Sequence, residues 1–304
     1  MKLAVVGSMN LDITLVVERM PVLGETLRSQ KSLQSPGGKG ANQAVAAARS
    51  GAEVFMFGQL GNDPYAGFVM ENFKANRINT QGILTDPESS TGLAFIFVEG
   101  GDNRILLASG ANDRFLPAQL ESLKQSILSC DALLLQNEIP VESIAAAVSL
   151  CKGKIPIFLN PAPAMPYLPG TLEGLDYFIP NEYEFEFYTH QSLENMHAIE
   201  KGLQFLQTMG VKEPLITMGT KGVAYLEDGQ ARIMPGFKVQ VIDSTGAGDT
   251  FSGAFACRRM AGDALPEAIR YAQAAAALAC TKLGAQSAIP CREEVTAFLL
   301  QAGK

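Results

Sequence analysis

Asp243-Ser244-Thr245-Gly246-Ala247-Gly248-Asp249-Thr250 is the stretch of this sequence richest in chemical possibility. It follows a strand-like run, Phe237–Ile242, and opens a helical pattern that continues to about Met260. Small residues at 246–248 let backbone N–H groups close around an anion, and a helix N-terminus adds positive potential there. Asp249 stands at the mouth of that hole. A carboxylate beside a bound phosphate is unfavourable for binding alone, because like charges repel. It makes sense as a base that takes the proton from a hydroxyl attacking phosphorus. Asp is also a common helix N-cap, and for Asp249 standing alone that is the better reading. The Gly-Ala-Gly immediately before it tips the balance to catalysis.

A second cluster, Gly37-Gly38-Lys39-Gly40-Ala41-Asn42, runs into an alanine-rich helix. Its glycines allow close backbone approach to a ligand, and Lys39 and Asn42 offer donors at a helix start. It is not a Walker A sequence, since Gly-Lys is followed by Gly, nor is it a Gly-x-Gly-x-x-Gly fingerprint. Taken alone it fits a flexible loop with a helix cap equally well. Asn10 and Asp12 share a face if the chain is extended there, and such a pair can hold vicinal hydroxyls; a turn asparagine and an edge aspartate are the competing reading. Glu138 follows an apolar run, where a helix cap competes. His190 and His197 flank a polar, turn-like stretch and read as surface positions, so a carboxylate is the natural proton acceptor. No Gly-x-Ser-x-Gly elbow points to a hydrolase.

The elements that must position these residues are legible as alternation. Leu3–Gly7, Val54–Phe57, Ala132–Leu135, Ile157–Leu159, Tyr177–Ile179 and Leu215–Met218 are short, nearly all-apolar runs, as expected of parallel strands covered on both faces. Helical patterns lie between them: Asn42–Ser50, Pro64–Asn76, Pro117–Ser129, Val141–Cys151 and Met196–Met209, with Leu265–Leu283 and Glu293–Leu300 near the end. Repeated βα units build a helix-flanked sheet, and ligands bind beyond the carboxyl ends of its strands. The predicted fold class is α/β, a single unit over 1–304 with a mostly parallel central sheet.

Three regions depart from the repeat. The β-like Ile13–Val17 with the polar run after it, and a hairpin of Leu93–Glu99 and Arg104–Ala108 across Gly100-Gly101-Asp102-Asn103, predict a small β lid from about 13–36 and 91–108. Both alternating faces of Leu93–Val98 are apolar, so a lid covering only a substrate leaves one face bare. A second copy would cover it, which predicts a homodimer through the lids; packing of the hairpin on its own core is the alternative. Gly222–Asp243 reads as antiparallel strands at one sheet edge.

Composition bounds the function. With 24 Lys+Arg against 31 Asp+Glu the formal charge is −7, and no basic stripe is present to bind a nucleic-acid backbone. Hydrophobic residues at 47% and charged residues at 18% describe a globular chain rather than a disordered one. Five cysteines without Cys-x-x-Cys spacing, beside two histidines, make neither a disulfide framework nor a zinc site. No run of about 18 apolar residues predicts a membrane span, and a cytoplasmic location is expected.

The segment Gly37–Asn42, with Ala44, Gly51 and Gly61 at their spacings, resembles the N-terminal signature of the ribokinase-like (PfkB) sugar kinases. Asp243 to Asp249, followed by Gly253-Ala254, resembles their C-terminal signature. The likeness spans essentially the whole chain and includes Gly7-Ser8-Met9-Asn10-Leu11-Asp12, Asn160-Pro161-Ala162-Pro163, Pro180-Asn181-Glu182-Tyr183-Glu184 and Gly284-Ala285-Gln286. Lys39 inside the first signature and Asn10 before Asp12 are similar to the ribose-specific branch. The resemblance implies roles residue by residue. Asn10, Asp12, Gly38, Lys39, Asn42 and Glu138 hold sugar hydroxyls. Asp249 is the base, and Gly246, Ala247 and Gly248 form the anion hole. Asn181, Thr217, Gly219, Thr220, Lys221, Gly222, Gly248 and Gln273 line an ATP site. Glu184 organises Mg²⁺ through water. Asp243, Thr245, Ala279, Lys282, Gly284 and Ala288 match an activating K⁺ site, with Ala288 departing from the usual serine and Gln273 from a histidine. The implied reaction is ATP-dependent phosphorylation of the terminal hydroxyl of a pentose, D-ribose to ribose 5-phosphate. A kinase for another sugar or a nucleoside, and a non-catalytic sugar- or nucleotide-sensing protein, are the alternatives. A Rossmann dehydrogenase is disfavoured because no fingerprint glycines follow the first strand.

Overall fold

Apolar runs bounded by turns become strands here because their side chains alternate into two helix layers. The computed structural model describes residues 1–100 and 102–302; Gly101, in the expected hairpin turn, lies outside them. In chain order the strands are β1 (Lys2–Val6), β2 (Asn10–Val17), β3 (Lys31–Gly37), β4 (Glu53–Gly61), β5 (Asn79–Asp86), β6 (Gly92–Glu99), β7 (Asp102–Ala108), β8 (Ala132–Gln136), β9 (Ile157–Asn160), β10 (Tyr177–Phe178), β11 (Glu213–Thr217), β12 (Val223–Glu227) and β13 (Gln230–Met234). The helices are α1 (Lys39–Arg49), α2 (Pro64–Ala75), α3 (Pro117–Ser122), α4 (Lys124–Leu128), α5 (Val141–Cys151), α6 (Glu182–Thr189), α7 (Met196–Thr208), α8 (Ala247–Met260), α9 (Leu265–Ala279) and α10 (Arg292–Ala302).

Nine strands form the main sheet in the order β13-β12-β11-β10-β9-β8-β1-β4-β5. Every pair from β11 to β5 is parallel, and β12 and β13 add an antiparallel hairpin at one edge. β1 illustrates the layering. Leu3 and Val5 join the core shared with α1, α2, α8, α9 and α10, while Ala4 and Val6 join the core shared with α3, α4, α5, α6 and α7. Each large side chain so buried contributes about 1.5–3 kcal/mol. The expected helix-flanked, mostly parallel sheet is present, and among the described residues no helix is long and apolar enough to cross a membrane.

A second sheet, β3-β2-β6-β7, stands apart as the expected small lid sheet. Its outer pairs are antiparallel, but its central pair, β2 with β6, is parallel. Two sequence readings are corrected. Phe237–Ile242 forms no strand: it follows Pro235-Gly236 as an irregular loop with Val241 and Ile242 exposed. Pro117–Ser129 is not one helix, since α3 and α4 meet at Leu123.

Candidate active site

The carboxyl ends of the parallel strands present polar side chains where the core gives way to a cleft. Ser8 follows β1, Gln136 ends β8, Asn160 ends β9, Asn181 follows β10 and Thr217 ends β11. Open parallel sheets bind ligands at this edge. The loop into α1, the start of β2 and the first turn of α8 converge on it.

Asp249 lies in the first turn of α8 and is buried. It is not the helix cap: Gly246 occupies that position with φ 75°, and the Asp249 carboxylate faces α1 instead. Asn42 Nδ2 donates to Asp249 Oδ2 at 2.9 Å, and Gln43 Nε2 donates to Oδ1 at 3.0 Å. The two glycine-rich segments, over two hundred positions apart in sequence, therefore meet at one carboxylate. Asp12 faces the same space. Burial, with Glu138 and Asp249 nearby, pushes its pKa up to about 7. Its carboxylate occupies room that only a glycine at 37, across from Asn10, leaves, since a Cβ on Gly37 would lie 2.1 Å from Asp12 Oδ1.

Asn10 shares the Asp12 face of β2. Its Oδ1 accepts from Asn112 Nδ2 at 2.8 Å, so the end left for a ligand is the donor end. Glu138 accepts from Ser8 Oγ at 2.6 Å and from the backbone N–H of Lys39 at 3.0 Å. It thus caps α1, a helix far from it in sequence, and Gly38 is the residue before that helix. The Lys39 ammonium is the cation among these acids; Asp249 above all, then Glu138 and Glu184, hold its pKa up against burial. Gln43 and Asn112 were missed from sequence. A glutamine placed just before the alanine-rich run Ala44–Ala48 was the available signal for the first, and it proves wholly buried.

Beside this cluster opens a cavity of about 600 Å³. Asn181, Thr217, Gly219, Thr220, Gly222, Gly248 and Gln273 all line it. Lys221 does not; its ammonium pairs with Glu182 at 2.7 Å on the surface. Phe237, Val239 and Val241, expected in a strand, supply apolar wall instead. The Gln273 side chain donates to the Met234 carbonyl at 3.0 Å. At the α8 end, the Ala247 N–H reaches the Ser244 carbonyl at 3.2 Å, while the N–H groups of Gly248 and Asp249 take no backbone partner among the described residues. Gly248 lines the cavity and Asp249, next along the chain, faces Asn42. An anion held at these amides is brought to the carboxylate.

Among the described residues no three His, Cys, Asp or Glu side chains cluster to hold a metal ion. Glu184 is buried and forms a capping box with Asn181: each accepts the other's backbone N–H, at 2.9 and 2.8 Å. Burial raises its pKa. Its other oxygen accepts from Asn181 Nδ2 at 3.0 Å, so with both oxygens engaged it suits an ion's water shell better than direct ligation. Asp243 accepts from the N–H groups of Thr245 and Gly284, each at 2.9 Å, which ties its loop to residues 279–288. Ala279 and Ala288 are buried there, and the Lys282 ammonium is turned away to Glu294 at 2.9 Å. Both Asp243 oxygens are thus taken by backbone N–H groups, and the Ala279 carbonyl accepts from the Lys282 N–H at 3.2 Å.

Known proteins match the chain along nearly its whole length. The model of the pfkB family carbohydrate kinases matches residues 1–292. A ribokinase of Haemophilus influenzae is 39% identical over 302 residues, 99% of this chain and 99% of the relative. Among solved structures, a ribokinase from Thermotoga maritima superposes with a TM-score of 0.90 at 37% identity, covering 98% of this chain and 99% of its own. Arabidopsis thaliana ribokinase complexed with ribose and ATP does so with a TM-score of 0.91 at 31% identity, covering 98% of each. On the match along its length and the identity of its relatives, the chain belongs to the pfkB family of carbohydrate kinases.

Proposed function

We propose that this chain transfers the γ-phosphoryl group of ATP to the 5-hydroxyl of D-ribose, giving ribose 5-phosphate and ADP. The observation that carries the reading is the adjacency of Gly248, on the wall of the large cavity, to Asp249, whose carboxylate meets Asn42. ATP takes the cavity, with its phosphates toward the free N–H groups at the start of α8. The pentose takes the space between Asn10, Asp12, Gly38, Lys39, Asn42, Glu138 and Asp249. Asp249 accepts the hydroxyl proton as that oxygen bonds to the γ-phosphorus and the bond to the ADP oxygen breaks. Gly246, Ala247 and Gly248 stabilise the charge on the transferring group, with Ala247 contributing least because its N–H is already engaged. Lys39 balances the acids around the base.

Glu184 is the residue that would receive the water shell of a Mg²⁺ ion, which would supply charge neutralisation to the phosphates. Asp243, Thr245, Ala279, Lys282, Gly284 and Ala288 hold an activating K⁺, with Ala288 offering only its carbonyl. The small sheet closes over the sugar and excludes water. Its exposed Leu33, Ile105, Leu106 and Leu107 support a homodimer formed through the lids. Five free cysteines, three of them buried, support a reducing, cytoplasmic setting.

The test is ADP release with Mg-ATP over a panel of pentoses, hexoses and nucleosides, with and without K⁺. Ribose should give the highest kcat/KM and K⁺ should raise it. A higher kcat/KM for another sugar or a nucleoside overturns the substrate assignment. Ribose binding without ADP formation overturns the enzyme reading in favour of a sensor, and indifference to K⁺ removes the cation.

A further inference from the structure

Two helices cross unusually closely behind the base. A Cβ on Gly253 would lie 2.3 Å from the Gln43 carbonyl and 2.8 Å from the Ala46 Cβ, so α8 and α1 touch at that glycine. Gly253 is one turn beyond Asp249 on the same face of α8. The contact sets Gln43 against the Asp249 carboxylate, and Gln43 is completely buried.

The direction in which the Gln43 amide faces is dictated from outside it. The Ile179 carbonyl can only accept, and Asn160 Nδ2 donates to it at 2.8 Å. Asn160 Oδ1 must therefore face Gln43, and it accepts from Gln43 Nε2 at 3.0 Å. On the other side, Gln136 Nε2 donates to Gln43 Oε1 at 2.8 Å. Both ends of the amide are thus assigned, and its nitrogen is the atom presented to Asp249 Oδ1. Gln136 keeps this polarity although its own Oε1, also buried, has no partner. None of these three amides is among the residues that hold substrate.

We propose that Gln43 is a positioning residue for Asp249, and that Gln136 and Asn160 fix which end of its amide faces the base. The carboxylate is then held with Oδ1 bonded by Gln43, so that Oδ2, shared with Asn42, is the oxygen that meets the attacking hydroxyl. Each residue in this set sits at a strand end or on α1, so the orientation exists before any ligand arrives, as preorganised catalysis requires. The inference rests on Asp249 acting as the base.

The experiment compares Gln43→Met, Asp249→Asn and the double variant in the full chain, by steady-state kinetics with Mg-ATP and ribose. Gln43→Met should lower kcat about 10- to 100-fold, the scale of a misplaced catalytic group, with both KM values within about threefold. Asp249→Asn should lower kcat about 10²–10⁴-fold. The double variant should match Asp249→Asn alone, because Gln43 acts only through that carboxylate. A merely structural glutamine would instead add its own loss. Near-normal turnover of Asp249→Asn defeats the base reading itself. A large loss there with Gln43→Met near wild type defeats only the positioning. Should Gln43→Met not fold, Gln136→Met reads the same chain, because it removes the donor that fixes the Gln43 amide. Its kcat should fall about 10-fold with both KM values within about threefold, and with no further loss in the Asp249→Asn background. A wild-type kcat or an additive loss overturns the proposal.

Discussion

The two ends of the cleft are built from different materials. At the hydroxyl end, Asn10, Asp12, Asn42, Gln43 and Asp249 are all buried polar side chains, and most are bonded to one another or to further amides. At the nucleotide end the wall is glycine, alanine and apolar loop, and the Gln273 side chain is tied to the backbone rather than free. Buried polar groups are costly unless paired, so most of the first end has its hydrogen-bond directions assigned before a ligand binds. On the proposed placement of ATP, the second would recognise by shape and backbone. Side-chain changes should therefore be severe at the hydroxyl end, while at the nucleotide end the backbone is what cannot change.

The largest effect in this contrast is expected at Asp12. Asp12→Ala should weaken ribose binding about 10- to 100-fold by calorimetry, the scale of charge-assisted hydrogen bonds to two hydroxyls, with little change in nucleotide affinity. Its pKa, raised from 3.8 to about 7 in the folded chain, adds a pH signature. Between those values the folded state binds a proton that the unfolded chain does not, so the cost of burying the charge is absent below about pH 4 and complete above about pH 7. The difference in Tm between Asp12→Asn and wild type should grow in favour of the variant as pH rises through that window. A pH-independent difference, or unchanged ribose affinity, would place Asp12 outside the hydroxyl site.

At the other end Gly222 is the sensitive point. Its φ of +107° disfavours any side chain, and a Cβ there would stand 1.9 Å from the Met234 carbonyl. Gly222→Ala should shift this wall of the cavity, raising KM for ATP about tenfold while ribose affinity stays within about twofold. Equal losses for both substrates would mean that the two ends are one cooperative unit and that the contrast is false.

How much of this was legible depends on whether local pattern and tertiary role agree. The all-apolar strands did agree, and β1, β8, β9 and β11 lie where the runs placed them. α6 went unread because Glu182-Tyr183-Glu184-Phe185-Glu186-Phe187 alternates with period two, a strand pattern; the capping box of Asn181 and Glu184 makes it helical. β5 is a mostly polar edge strand with little hydrophobic signal. Phe237–Ile242 erred the opposite way: it alternates like a strand, but its apolar side chains wall the cavity instead of pairing in a sheet. At the site, glycine-rich turns announced Gly37–Asn42 and Gly246–Asp249, whereas Gln43 and Asn112 act only through contacts with residues distant in sequence.

Lys221 puts the contrast to its finest test, because a lysine near phosphates is easily read as a ligand. Its ammonium lies 2.7 Å from Glu182 Oε1, with 69% of its side chain exposed and 42% of the glutamate's. A pair so exposed contributes about 0–1 kcal/mol and is weakened by salt. If the nucleotide end works through backbone and shape, Lys221→Ala should leave kcat and the KM for ATP within about twofold and Tm nearly unchanged. A tenfold rise in KM for ATP, diminishing as ionic strength increases, would show that the lysine leaves Glu182 for the phosphates. The nucleotide end would then carry a side-chain charge of its own, and the division between the two ends would have to be redrawn.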